Sequence, residues 1–338
     1  GGAVRGEPSR EGPAIKLTIA SLDRTDLEIG MTEDYTPRSS PDDYRCFVVK
    51  WPLDKTIYVT GFENFPGNRA LVHHMVTYLI EPGQSEVVDA IDAAHEGPGY
   101  PCFGGPSPTG DTPYDGEDLL ARLLGQWAPG MGAVRYPDGT GVRIEPGSRA
   151  IFQVHYNAQS LKDVGTDRSI VRFQTAKSVE RDGLVIPWLN AMWPADPGNM
   201  LIPAKEADVS HGWSGTMSDS FTAALYGSAD INDSFLVHSF FPHMHKLGRS
   251  LTLTQIKPDG TEIIMLRIPR YDFNWQREYI LKTPIEVQAD DQIRIECTWD
   301  NTKEQRARYG LTGALADVVW GEGTQDEMCV STLYITVP

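Results

Sequence analysis

The pattern that most restricts how this chain can fold is a succession of short runs with apolar residues at every second position, separated by Pro, Gly and Asp. In Arg149–Tyr156, Phe152, Val154 and Tyr156 fall on one side of an extended backbone, and Gln153 and His155 fall on the other. Leu251–Ile256 and Thr261–Leu266 flank Lys257-Pro258-Asp259-Gly260, a turn sequence that joins two strands as a hairpin. Ile293, Ile295, Cys297 and Trp299 share a strand face in the same way. Helical spacing is scarce. Leu119, Leu120, Leu123 and Leu124 predict one helix over Glu117–Trp127, ended by Pro129 and Gly130. Many short strands with frequent turns predict an all-β chain built from antiparallel sandwiches rather than a parallel sheet with crossover helices.

A chain of 338 residues with 40% hydrophobic content can bury a large core and suggests two domains. Pro187, Pro194, Pro197 and Pro203 interrupt the strand pattern and mark the boundary. The expected units are a disordered leader over 1–13, an N-terminal sandwich over 14–185 and a C-terminal sandwich over 186–338. The formal charge of -16 argues against nucleic acid or an anionic membrane as partner, because both need a basic footprint. A small neutral or cationic partner is easier to accommodate. No run approaches the roughly 20 apolar residues of a membrane span, and a start at Gly1 rather than Met fits a processed or trimmed product.

Cys46, Cys102, Cys297 and Cys329 are too widely spaced for a zinc or redox CxxC motif. Three pairings are possible. Joining Cys46 to Cys102 and Cys297 to Cys329 keeps each bridge within one half and implies an oxidising, extracytoplasmic compartment. Four buried free thiols are the alternative. Parity favours the second bridge, because Cys297 shares a face with Ile293 and Ile295, and Cys329 with Leu333 and Ile335.

Two groups of residues carry metal chemistry. In His243-Met244-His245 an extended backbone places both imidazoles on one face, and Met328, which shares a strand face with Val330, Thr332 and Tyr334, offers a thioether. Two imidazoles and a soft sulfur suit copper and help hold its reduced state. His73, His74 and His155 form the other group, a three-imidazole set suited to copper or zinc. Adjacent residues on a regular strand point to opposite faces. His73 and His74 therefore reach one ion only at a bulge, at a strand end or through different ring rotations. The plainer readings are buried structural histidines and a Met that fills core. His95 and His211 sit in loop-like contexts and read as solvated, and Asp326 and Glu327 read either as a support for a ligand or as a solvated turn.

Val72-His-His-Met75, Phe152-Gln-Val-His-Tyr156, His243-Met-His-Lys-Leu-Gly-Arg249, Cys297-Thr-Trp-Asp-Asn-Thr302 and Asp326-Glu-Met-Cys-Val330 follow one another in an order that resembles the copper type II, ascorbate-dependent monooxygenases. This is the family of peptidylglycine α-hydroxylating monooxygenase and dopamine β-monooxygenase, and the likeness runs from about Tyr44 to Tyr334. It implies two jelly-roll-like β-sandwiches with one copper on each, facing a shared cleft. His73, His74 and His155 would hold the electron-transfer copper, and His243, His245 and Met328 the oxygen-binding copper. It also implies the two cysteine pairings given above, O2 as co-substrate, ascorbate or a similar reductant, and hydroxylation of an aliphatic C–H of a small organic molecule.

The likeness has gaps. The peptide-hydroxylating branch clamps a substrate carboxylate with an arginine two residues before HxH and with an asparagine and a tyrosine after the methionine. Phe241, Val330 and Thr332 occupy those positions here, so with Tyr334 they would line a rather apolar pocket. His238 lies five residues before His243, where the family has a histidine seven before, so its role does not carry over. The competing functions are a copper carrier of the same fold without turnover, and a scaffold whose histidines bind nothing.

Overall fold

The computed structural model describes residues 20–108, 119, 121–158, 161–162, 164–220, 234–311, 313–323 and 325–337. Residues 1–13, expected as a leader, lie outside them. Alternation in the sequence becomes strand pairing throughout. The first half holds β1 (Leu27–Gly30), β2 (Asp42–Lys50), β3 (Ile57–Phe65), β4 (Val72–Ile80), β5 (Tyr100–Pro101), β6 (Ala121–Trp127), β7 (Val134–Arg135), β8 (Thr140–Ile144), β9 (Arg149–Asn157), β10 (Ile170–Ala176) and β11 (Arg181–Trp188). The second holds β12 (Val209–Gly215), β13 (Phe235–His243), β14 (Gly248–Ile256), β15 (Glu262–Ile268), β16 (Tyr279–Val287), β17 (Gln292–Trp299) and β18 (Val330–Thr336). The fold is all-β, as the sequence predicts.

In the first half, β1, β10, β3 and β8 form one row, with β7 on β3. β6, β4, β9, β2 and β5 form the other. Val59, Phe62, Met75, Phe152, Val154 and Phe173 fill the core between them. Burying a side chain of this size contributes about 1.5–3 kcal/mol. In the second half, β16, β13, β18 and β11 cover β15, β14, β17 and β12. Trp188, Phe240, Leu253, Ile295, Trp299 and Leu333 lie in that core. The β14–β15 hairpin closes at Lys257–Thr261, where Gly260 takes a φ of 85° that an L side chain resists.

β11 serves both cores. It pairs with β18 from Gly183↔Thr336 to Trp188↔Ser331, meets β6 at Val185↔Leu123 and runs parallel to β8 at Arg181↔Thr140. Val185 packs into the first core, while Ile186 and Trp188 pack into the second. Residues 185 and 186, where the sequence reading divides the chain, are thus neighbours in one strand.

The helix expected over Glu117–Trp127 is not formed. Ala121–Trp127 is β6, paired with β4, and Glu117 lies outside the described residues. The register of that pair shifts between Thr77 and Tyr78, which face Gly125 and Leu123, so Leu124 is bulged out. A bulge breaks the period of two, and the broken alternation mimics helical spacing. A helix does form at Ser85–Ala93 (α1), where Val88 and Ile91 pack with Ile80 and Ile151 on the outer face of the β4/β9 sheet. Both disulfides pair as expected, Cys46–Cys102 and Cys297–Cys329, each with a Cα–Cα separation of 5.9 Å.

Candidate metal centres

β4 enters its sheet with a bulge at His73. Val72 faces Tyr156 and His74 faces His155 on β9, so His73 is the extra residue. The bulge is what lets adjacent histidines turn to one side. Their Nδ1 atoms and that of His155 form a triangle with edges of 3.1, 3.3 and 3.3 Å. An ion bonded tetrahedrally to imidazole nitrogens at about 2.0 Å sets those nitrogens about 3.3 Å apart, so the triangle fits a metal. Among the described residues it is the one cluster of three or more His, Cys, Asp or Glu with this convergence.

The surroundings keep these rings neutral and aimed. His155 Nε2 donates to Asp42 Oδ1 at 2.8 Å, which leaves its Nδ1 lone pair facing the other two nitrogens. Tyr44 lies flat on the His155 ring, centroids 4.1 Å apart. Burial pushes His73 down to about 3 and His74 well below the ordinary imidazole value. His155 is lowered by burial too, against the upward pull of Asp42.

The second set sits where β13 ends. Met244 is fully buried in the core, so His243 and His245 emerge together on the other side, rings 5.0 Å apart and at 83°. Gly248 makes this turn possible, because a Cβ there would lie 2.8 Å from Met244 Cβ. His243 Nδ1 donates to Gln276 Oε1 at 2.7 Å and His245 Nδ1 to the Asp326 carbonyl at 2.9 Å. Each ring therefore keeps Nε2 for a ligand. Burial lowers both imidazoles, His245 most strongly.

Glu327 holds the backbone of this turn. Its carboxylate accepts from His245 N at 2.9 Å, Leu247 N at 2.6 Å and Trp299 Nε1 at 2.9 Å. It is fully buried, and burial pushes its carboxyl up to about 8 against the pull of those donors. Of the two readings of Asp326 and Glu327, the solvated turn is therefore wrong for Glu327. The expected coupling to the histidines runs through main chain rather than through ring nitrogens.

Both sets open on one cavity of about 530 Å³, whose walls include His73, His74, His243 and Met328. Phe273 spans the gap between them, stacked 5.6 Å from His73 and edge-on 6.3 Å from His245. Phe241, Val330 and Thr332 line this cavity as the sequence suggests. Tyr334 does not. It is stacked on Tyr136 at 4.0 Å with its hydroxyl donating to Thr140 Oγ1, inside the first core. Strand parity gives its side correctly, but the cavity ends before the strand reaches it.

The remaining histidines join neither set. His95 binds the Ile91 carbonyl at the end of α1, and His211, on β12 rather than in a loop, binds the Leu201 carbonyl. His238 sits at a β13 bulge and binds Thr336 Oγ1 at 2.8 Å. Sequence reasoning missed Asp42, Gln276, Phe273 and Glu322. Asp42 reaches the site through the long-range pairing of β2 with β9, and Gln276, Phe273 and Glu322 reach it from connecting segments with no periodic pattern. Glu322 is the one acidic side chain lining the cavity among the described residues, and no Lys or Arg lines it. Burial and the nearby Asp326 charge push its carboxyl up to about 7.

Comparison with known proteins agrees with this geometry. Residues 28–163 match the N-terminal domain of copper type II ascorbate-dependent monooxygenases, and residues 199–336 match the C-terminal domain. The chain is 24% identical to tyramine beta-hydroxylase of Caenorhabditis briggsae over 334 residues, 95% of this chain and 50% of that protein. It is 25% identical to DBH-like monooxygenase protein 2 of Mus musculus, covering 85% of this chain and 42% of that protein. It is 26% identical to dopamine beta-hydroxylase of Bos taurus, covering 95% and 48%. The chain thus spans about half the length of the curated relatives it matches. The first matched segment carries the His73, His74 and His155 triangle and the second carries His243, His245 and Met328, so the chain belongs to the copper type II, ascorbate-dependent monooxygenase family.

Proposed function

We propose that this chain hydroxylates an aliphatic C–H of a small amine with an apolar body, using O2 and an ascorbate-type reductant. The observation that carries this reading is the convergence of two histidine sets on one cavity of about 530 Å³ with space for a substrate. In it, units 14–185 and 186–338 each hold one copper, the first through His73, His74 and His155 and the second through His243, His245 and Met328. Copper supplies the one-electron chemistry that makes O2 reactive toward a C–H bond. A site with few protein ligands leaves a position for O2, and the thioether favours the reduced metal.

The protein's own groups do the rest. Asp42, Gln276 and the Asp326 carbonyl fix which ring nitrogen faces the metal. Phe241, Val330, Trp127 and Leu123 give the cavity its apolar wall and exclude water from the reacting carbon. Glu322 gives one carboxyl with no hydrogen-bond partner for it among the described residues, which suits an ammonium or another strong donor. With no lining Lys or Arg among the described residues, the cavity is poorly suited to a substrate carboxylate. Two relatives are named for tyramine and dopamine, both amines. Two disulfides support an oxidising, extracytoplasmic location, and no helix among the described residues is long and apolar enough to cross a membrane.

Metal analysis with electron paramagnetic resonance tests the assignment. Two coppers per chain are expected, falling to one in His155→Ala with the signal of the other centre kept. Two coppers retained in that variant would refute the assignment, and copper binding with no product from any amine would leave a carrier.

A further inference from the structure

A second cavity, of about 520 Å³, lies against the first and has the opposite electrostatic character. His73, Pro129, Phe273 and Asn274 line both and form the partition between them. On the far side of that partition the lining includes Arg69, Lys246 and Arg308, and no acidic side chain among the described residues. In a chain of formal charge -16, three cations converging on one hollow reverse the prevailing field.

The cations come from three separate places. Arg69 precedes β4, Lys246 follows His245 in the turn after β13, and Arg308 ends the short helix Lys303–Arg308. Little neutralises them. The nearest carboxylate oxygen to Arg308 is that of Asp272, at 4.0 Å, and Arg69 and Lys246 make no ion pair among the described residues. Lys246 Nζ lies 6.0 Å from the Phe273 ring, and that ring is stacked on His73. Asn157 and Tyr309 add hydrogen-bonding side chains to the same wall.

We infer that this cationic cavity is the docking site of the anionic reductant, ascorbate, placed beside the His73 edge of the histidine triangle. The assignment rests on the function proposed above only in naming the ligand. Three lining cations ask for a small anion, which matches ascorbate and disfavours a cationic amine. Charge thus sorts the two co-substrates. The anion is drawn to Arg69, Lys246 and Arg308, and the ammonium to Glu322 on the other side of the partition.

The test is calorimetric titration of ascorbate into the copper-loaded, pre-reduced chain under argon, where no electron can move. The wild type is compared with Arg69→Glu/Arg308→Glu and with the milder Arg69→Gln/Arg308→Gln. Both substituted side chains, Arg69 and Arg308, are exposed at the surface, so folding is checked simply by circular dichroism. Ascorbate affinity is expected to fall at least tenfold in the charge-reversed variant and by an intermediate factor in the neutral one. In turnover, KM for ascorbate should rise by a similar factor while KM for the amine and kcat at saturating ascorbate stay unchanged. Equal affinity in all three proteins would overturn the proposal. So would sulfate binding as tightly as ascorbate, since the hollow would then be a general anion trap. The titration needs no turnover, so a failure to hydroxylate any amine would count against the proposed activity and not against this site.

Discussion

Tyr44 joins the two halves of the site. Its ring lies on His155 at 9° from parallel, and its hydroxyl donates to the carbonyl of Glu322, in the loop that leads to Met328. One side chain thus supports a ligand of the first set and positions the carboxyl that faces the cavity of both. Tyr44→Phe keeps the stack and removes the hydrogen bond, which contributes about 0.5–1.5 kcal/mol. Copper content should therefore hold, while KM for an amine rises a few fold because Glu322 is no longer anchored. Tyr44→Ala should also loosen copper at the triangle. Loss of copper in the Phe variant would show that the hydroxyl, not the ring, supports His155.

Acid should destabilise the metal-free protein through its imidazoles. Burial holds His73, His74, His155, His243 and His245 below their ordinary value, His73 at about 3. The unfolded chain takes up those protons near pH 6.5 and the folded chain does not, so stability is present above that pH and is lost as pH falls through it. Each imidazole contributes up to about 1.4 kcal/mol per pH unit. Glu327, Glu322 and Glu278, raised by burial to about 8, 7 and 7, act in the other direction and offset part of the loss. His238 is lowered by burial as well, and six imidazoles against three carboxyls predict a melting temperature that drops from pH 7 to pH 5. A level or rising melting temperature over that interval would mean the imidazoles are already protonated in the fold.

Glu322 should decide between charged and neutral substrates. Glu322→Gln keeps the shape and removes the charge, so kcat/KM for a primary amine should fall at least tenfold. For the matching neutral alcohol it should change little. Equal losses for both compounds would assign Glu322 to cavity shape rather than to charge recognition.

Much of this was legible from residue order, and the failures have physical causes. The faces of β9 were readable because Phe152, Val154 and Tyr156 pack into a core while His155 meets the triangle, so side-chain chemistry tracks the pleat. The need for a bulge at His73 and His74 followed from the same pleat, and one is present. A bulge at Leu124 worked the other way, disguising β6 as a helix. Parity placed Tyr334 on the face of Thr332 but carries no information on where the first core takes over from the cavity. Asp42 reaches His155 only because β2 pairs with β9, more than a hundred residues apart in sequence, and Gln276 and Glu322 arrive on connecting segments whose positions no strand period reveals.

The most direct measurement of the central claim is mass-spectrometric detection of isotopically labelled oxygen in the product. It uses labelled O2 with the copper-loaded chain and an arylalkyl amine that carries an aliphatic C–H, ascorbate as reductant, and Met328→His run in parallel. A thioether favours reduced copper, whereas a third imidazole makes a harder site that holds the oxidised ion. The expected result is one labelled oxygen atom per product molecule from the wild type, and a fall of orders of magnitude in Met328→His with total copper little changed. Full labelled hydroxylation by Met328→His would contradict the account, because Met328 would then be core filler and not part of an oxygen-activating site with His243 and His245.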